Sequence, residues 1–305
     1  MSLLAIVVAL LAQHAFPEGA RHHLSAFYGR MALSAAKRLN AGDRNSGTLA
    51  WIALMAGVLV PAALVTALAA TIHPFVVWVL DVLVLYATLR FLAATRAIAE
   101  IETALRAGNA RAAANLLAQW QAEAVQTDDP GAIARLAAEH GLREAHHGTF
   151  GALFWFLVLP GPIGVILYPL ALRAAQSWSH LVEGEREFGW FASRAFHLID
   201  WIPQRATAFS FAVVGNFEDA LYCWRSQAAT WMRAEEGVVL ASGAGALGVR
   251  LGDPIPVGEA SVERPALGTG EAAREDALAS LEGLLWRALI LWMIVYLLAA
   301  ALRLG

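Results

Sequence analysis

The residues best suited to chemistry form a glycine-rich run in the last third of the chain. Glycine or alanine fills most positions of residues 243–252, and Arg250 lies near the end of the run. Exposed backbone N–H groups beside one cation can bind an anion. No Gly-Lys-Ser/Thr sequence follows, so the run is not a phosphate-binding P-loop. Its composition alone favours a flexible loop without a ligand.

Other polar residues give weaker signals. Asp81 lies inside an apolar run, where it either forms a hydrogen bond between helices, which is the favoured interpretation, or contacts a ligand or a proton path. His140, His146 and His147 are close in sequence, but no cysteine or carboxylate accompanies them at a spacing typical of metal ligands. We therefore expect no metal site.

The composition predicts a membrane protein. Of the 305 residues, 58% are hydrophobic and 15% are charged, whereas an average soluble domain carries about 25% charged residues. The net charge of -3 offers no general basic surface, so the expected partner is the lipid bilayer and not nucleic acid. Because Cys223 is the single cysteine, an intrachain disulfide is excluded.

Several apolar stretches have the character of membrane helices. Residues 48–72 carry no charge, and residues 75–92 follow after a connection so short that the two must form a hairpin. A third candidate, residues 288–302, lies near the C-terminus. A stretch at residues 3–11 is too short to cross, since about 20 residues are needed. Basic residues flank the first hairpin on one side, which predicts that this side is cytoplasmic.

The apolar stretch 149–172 is long enough to cross, but Pro160, Gly161 and Pro162 interrupt it. Prolines break a helix because they remove a hydrogen-bond donor and clash with the preceding turn. A re-entrant hairpin of two half-helices and one kinked span both fit this pattern. We predict the hairpin, which would keep both flanks on the cytoplasmic side.

Several motifs resemble those of the CobD/CbiB membrane proteins of cobalamin synthesis and of their relative AmpE. The most specific is Gly-Ala-Leu-Gly-Val-Arg-Leu-Gly at residues 245–252. Residues 197–205 look like AmpE instead. The resemblance covers the chain from about residue 50 to the C-terminus. Other positions that match motifs of the CobD/CbiB family are Arg135, Glu139, Arg194, Pro203, Arg205 and Thr207.

The resemblance implies an inner-membrane protein linked to cobalamin (adenosylcobinamide-phosphate) biosynthesis, with a corrinoid or nucleotide ligand bound at the cytoplasmic face. If active, such a protein is an amide-forming corrinoid ligase that uses ATP and Mg²⁺. The alternative is an AmpE-like signalling or regulatory protein without enzymatic activity. Homo-oligomerisation stays open. The ligand-binding residues implied by the resemblance are Arg135, Glu139, Arg194, Arg205, Gly245, Gly248 and Arg250.

The chain departs from the family at positions where the family has acids. Leu-Arg-Glu stands at 142–144 in place of Ala-Glu-Asn, and His147 stands in place of an aspartate. Leu-Arg-Ala-Ala at 172–175 replaces Asn-Thr-Leu-Asp, and Phe-His at 196–197 replaces Asp-Asp. Such acids are the expected ligands of Mg²⁺, which prefers oxygen. We therefore expect ligand binding without efficient amide formation.

The predicted fold is all-α and polytopic, with a few transmembrane helices, a re-entrant hairpin and amphipathic cytoplasmic helices. Residues 1–92 would hold the N-terminal membrane helices and a basic loop, and residues 93–148 a cytoplasmic helical segment. Residues 149–172 would form the re-entrant or kinked segment. Residues 173–283 would combine amphipathic helices with a glycine-rich loop, and residues 284–305 would form the C-terminal membrane helix.

Overall fold

A computed structural model describes residues 2–16, 21–159, 161–179, 186–257 and 260–302, and it is almost entirely helical, as predicted. A π-helical turn, His146–Phe150, joins α7 to α8, and a 3₁₀ turn, Ala228–Thr230, follows α11. The helices are α1 (Ser2–Ala15), α2 (Arg21–Leu39), α3 (Arg44–Ile72), α4 (Pro74–Thr88), α5 (Phe91–Arg106), α6 (Ala110–Gln121), α7 (Pro130–Ala145), α8 (Gly151–Val158), α9 (Ile163–Ser179), α10 (Arg186–Val214), α11 (Phe217–Gln227), α12 (Ala234–Leu247) and α13 (Glu275–Leu302).

Three helical stretches are long and apolar enough to cross a membrane, namely α3, the stretch Pro74–Arg106 and α13. This confirms the prediction of a few transmembrane helices. His73 makes the tight connection between α3 and α4, since its side chain accepts a hydrogen bond from Phe75 N and caps α4. The C-terminal helix is longer than predicted because it begins at Glu275, well before the apolar run.

The chain divides into two compact units. The first contains Met1–Arg90, His147–Pro203 and Tyr296–Gly305, and the second contains Phe91–His146 and Gln204–Val295. In the first unit, α1 packs along α4. Gln13 on α1 donates hydrogen bonds to Leu89 O at 2.8 Å and to Tyr86 O at 3.1 Å. These bonds satisfy carbonyl groups that the end of α4 would otherwise leave without partners.

Residues 149–172 reverse the direction of the chain within the first unit, and the re-entry of this hairpin into the membrane stays a prediction. The half-helices α8 and α9 pack antiparallel, since Gly151 lies against the ring of Tyr168 and Gly164 against Trp155 O. Gly161 lies in the turn with a positive φ of 62°. Pro160, the first proline of the predicted break, lies outside the described residues.

The second unit has a core made by amphipathic helices. Ile98, Ile101 and Leu105 on α5 are buried, and their helical spacing places them on one apolar face. Two short antiparallel pairs extend from the end of α12. They join β1 (Arg250–Leu251) to β4 (Leu267–Gly268), and β2 (Ile255–Val257) to β3 (Ala260–Val262).

The glycine-rich stretch differs from the prediction of a loop. It is helical through α12 as far as Leu247. Its glycines permit close packing and do not confer flexibility: a side chain at Gly245 would lie 2.5 Å from the backbone oxygen of Asp219, and one at Gly243 would lie 2.6 Å from Leu142. Composition could not separate these two uses of glycine, because close packing depends on partners distant in sequence.

Candidate functional site

A buried carboxylate in the second unit connects α7 to the segment after α12. Glu139 is 3% exposed. Its Oε1 accepts a hydrogen bond from Gly252 N at 2.9 Å, and its Oε2 accepts one from Arg264. These bonds tie α7 to residues 250–264 within the second unit. The shared cytoplasmic side of residues 93–147 and 173–283 stays a prediction.

The surroundings of Glu139 act on its charged form in opposite directions. Burial raises the pKa of Glu139, and the charge of Arg264 and the N–H of Gly252 oppose that rise. The guanidinium of Arg264 also lies over the ring of Trp231, 5.0 Å from its centroid, which adds a cation–π interaction. Gly252 has a φ of 76°, and a side chain there would lie 2.0 Å from Pro265 O. The position therefore requires glycine.

Arg264 was not among the predicted site residues. It lies far from Glu139 in sequence and belongs to none of the matched motifs, so no spacing signal could have paired the two. Gln227 is a second such residue. It accepts a hydrogen bond from Gly268 N at 2.6 Å and donates one to Gly268 O at 3.2 Å, which fixes β4 beside α11.

Arg250 is engaged within its own turn. Its Nε donates to Asp253 Oδ2 at 2.8 Å, and its backbone N–H donates to Glu271 O at 2.7 Å. Asp253 adopts the left-handed conformation, with a φ of 58°, which places its carboxylate back over Arg250. The turn therefore carries a cation that is already neutralised by a neighbour.

Arg250 and Arg264 each pair with a carboxylate, and Arg135 differs from them in this respect. It lies one turn before Glu139 on α7 and is half-buried. Its Nε is buried without a hydrogen-bond partner, and its terminal nitrogen reaches Pro254 O only at 3.5 Å. Within the described part of the chain, Arg135 forms no ion pair. Arg135 is thus a guanidinium with unused capacity to bind an anion beside the turn 250–254.

The structure brings some of the predicted site residues together and leaves others apart. Arg135, Glu139 and Arg250 meet around the turn 250–254. Gly245 lies inside α12, where its N–H faces the helix, and Gly248 ends that helix with a φ of 67° and an exposed backbone. Arg205 lies half-buried on α10 in the second unit, and Arg194 lies exposed on α10 in the first unit.

The first unit contains polar groups of its own. Tyr168 donates a hydrogen bond to Asp200 Oδ1 at 2.7 Å, and His147 Nε2 lies 3.9 Å from Asp200 Oδ2. In the second unit, His146 Nδ1 lies 2.9 Å from Thr207 Oγ1. Asp81 lies on α4, and its buried Oδ1 has no hydrogen-bond partner among the described residues. The favoured interpretation, a hydrogen bond between helices, is therefore not found at this oxygen.

Comparison with known proteins identifies the family. The model of the family described as CobD/Cbib protein matches residues 6–284. The chain belongs to this family. It is 31% identical over 299 residues to the cobalamin biosynthesis protein CobD of Stutzerimonas stutzeri, with 96% of each chain covered. It is 30% identical over 313 residues to the CobD of Chromobacterium violaceum, covering 99% of this chain and 97% of the relative.

The similarity to other CobD proteins is more local. The chain is 36% identical to the CobD of Mycobacterium tuberculosis over 92 residues, which is 28% of this chain and 29% of the relative. No solved structure matches the chain. These comparisons give no support to the alternative resemblance to AmpE or to a signalling role. Membership of the CobD/Cbib family and the three apolar helices establish a membrane protein.

At several positions where the resemblance implies acidic residues, the side chains offer no oxygen ligand for Mg²⁺. Leu142 is fully buried and packs against Gly243. Arg143 pairs with Glu236 at 3.2 Å. Leu172 and Phe196 are buried apolar side chains. These positions therefore supply core packing and positive charge where Mg²⁺ would need several oxygen ligands.

Proposed function

We propose that this chain is a multi-pass inner-membrane protein of cobalamin biosynthesis that binds an anionic corrinoid or nucleotide ligand at its cytoplasmic face. The proposal extends to this chain the role carried in the names of its full-length CobD relatives. The ligand is proposed to bind at Arg135 and the turn 250–254. Amide formation is not proposed, because apolar and basic side chains stand where the resemblance implies acidic ligands of Mg²⁺.

The observation that carries the site is the unused guanidinium of Arg135. Its Nε is buried without a partner, although a buried donor is expected to find one. A phosphate or carboxylate oxygen would satisfy it and would neutralise its charge. Gly248, at the end of α12 and close in sequence to the turn 250–254, is exposed.

Equilibrium dialysis in detergent tests the site, with adenosylcobinamide phosphate and ATP as separate probes. The change Arg135→Ala should weaken binding of the true ligand about 10- to 150-fold, since a hydrogen bond to a charged group contributes about 1.5–3 kcal/mol. The matched control is Arg111→Ala on α6, where the arginine is exposed. Equal binding by the two variants, or no binding of either probe, would show that the site is wrong.

Complementation tests the pathway separately. The chain, expressed in cells that lack their own CobD, should at least partly restore cobalamin-dependent growth if it supports this pathway. Growth that stays dependent on added cobalamin, from a protein shown to reach the membrane, would count against the pathway. A positive dialysis result beside failed complementation would retain the ligand site and remove the pathway role.

A further inference from the structure

The first part of α10, residues 186–203, exposes a large apolar surface beyond Arg194. Leu198 is 64% exposed, Ile202 is 52% exposed and Trp201 is 46% exposed. We propose that this part of α10 is embedded in the bilayer and that these three side chains contact lipid acyl chains. This part of α10 would then be a membrane segment within residues 173–283, whose composition predicts amphipathic helices and a loop outside the membrane.

The first argument is that α10 runs back along α9. A side chain at Gly189 would lie 2.5 Å from Trp178 O near the end of α9. Tyr168, near the start of α9, donates its hydrogen bond to Asp200. Residues further along α10 therefore contact residues nearer the start of α9. The two helices are antiparallel, and α10 approaches the turn of the α8–α9 hairpin.

The second argument is the depth of that hairpin turn. A side chain at Gly161 would lie 3.1 Å from Thr66 Cγ2 on α3 and 3.8 Å from Asp81 Oδ1 on α4. Both contacts lie inside membrane helices. Thr66 is six residues from the end of α3 at Ile72, which is about 9 Å at 1.5 Å per residue. The hairpin turn therefore lies within the hydrocarbon layer, which is about 30 Å thick.

The depth of α10 in the bilayer follows from the depth of α9. Tyr168 is five residues after the first residue of α9, so it lies about 8 Å from the hairpin turn. Added to the 9 Å above, this places Tyr168, and Asp200 beside it, about 17 Å from the far end of α3. Leu198, Trp201 and Ile202 are within one turn of Asp200. They therefore lie at the depth of the acyl chains.

The third argument is the change of polarity along α10. At its start, Glu187 pairs with Arg44, the first residue of α3, and the guanidinium of Arg44 lies 4.9 Å from the centroid of the Trp190 ring. This end of α10 thus lies at the polar end of a membrane helix, where tryptophan is typical. Arg194 is exposed further along, and its long side chain can extend back to the headgroups.

Spin labels test the proposal in the full-length protein. Cysteines at positions 198 and 202 are introduced one at a time after Cys223→Ala, labelled with a nitroxide, and reconstituted in phosphatidylcholine–phosphatidylglycerol vesicles. Both positions are exposed in the fold, so the label should be tolerated, and elution from a sizing column in detergent verifies this. The control label is at position 111 on α6, where the arginine is exposed.

The measured quantity is the collision rate of each label with oxygen, which dissolves in lipid, relative to a water-soluble nickel chelate. The ratio should be higher at 198 and 202 than at 111. A ratio equal to that at 111 would place α10 in water and overturn the proposal. Low access of both reagents would overturn it as well, because it would mean that protein, such as a second copy of the chain, covers this surface.

Discussion

Removing the Glu139 carboxylate should destabilise the second unit far more than removing an exposed one. Glu139 is 3% exposed, and the side chain of its partner Arg264 is 7% exposed. The change Glu139→Ala leaves the guanidinium buried without its counter-charge and leaves Gly252 N–H without its acceptor. Both losses occur in the same turn, which should detach residues 250–264 from α7.

The size of the effect follows from the burial of both partners. Breaking a buried ion pair by removing one member costs about 3–5 kcal/mol. For a protein of this size, about 1 kcal/mol shifts the melting temperature by about 2–4 °C. We therefore expect Glu139→Ala to lower the apparent melting temperature by roughly 6–20 °C. The matched control Glu123→Ala removes an exposed carboxylate and should change stability by less than about 0.5 kcal/mol.

Circular dichroism in detergent at one fixed heating rate measures these shifts, and hydrogen exchange of the peptide containing Gly252 measures the local effect. The double variant Glu139→Ala with Arg264→Ala adds a sharper test. It leaves no buried charge unpaired, so its loss of stability should be smaller than the sum of the two single losses. Additive losses, or a shift no larger than that of Glu123→Ala, would refute the reasoning.

Three further outcomes are expected. Gly245→Ala should lower the free energy of unfolding by about 1–3 kcal/mol, because its methyl group would lie 2.5 Å from Asp219 O. Gly283→Ala, where no atom lies within 4 Å, should stabilise α13 by about 0.5–1 kcal/mol. Melting curves of the two variants test this difference. Cysteines at positions 261 and 111 should react with an impermeant maleimide from the same side of the membrane, and labelling from opposite sides would contradict the shared face. Cobyric acid with aminopropanol, ATP and Mg²⁺ should yield no amide by mass spectrometry, and turnover would show that the missing acids are dispensable.

The fold could be predicted well where local chemistry determines the structure. The uncharged run at residues 48–72 predicted α3, because a run of this length is typical of a helix that crosses a bilayer. Two prolines and a glycine predicted the reversal between α8 and α9, because a helix cannot continue through them. The start of α7 at Pro130 was not predicted, although Asp129 caps it by accepting a hydrogen bond from Ala132 N at 2.7 Å.

The candidate site was predicted only in part, because its contacts join distant segments. The family motif placed Glu139 in the site, but its partners Gly252 and Arg264 come from residues that follow α12. No periodicity links positions so far apart. The resemblance therefore predicted Arg135, Glu139 and Arg250, which lie near one another, while the pairing of their charges required the structure.

The ion pairs around the turn 250–254 determine which of the predicted residues can bind an anionic ligand. Glu139 and Arg250 match the family, yet each is neutralised by a neighbour, Arg264 and Asp253 respectively, so both stabilise the turn and offer little charge to a ligand. Arg135 matches the family and keeps an unpartnered buried nitrogen. A ligand that replaces these internal partners would have to break two ion pairs, whereas one that binds Arg135 breaks none. The physical cost therefore favours binding at Arg135 with the turn intact, and it makes the dialysis experiment with Arg135→Ala the more direct test of the ligand site.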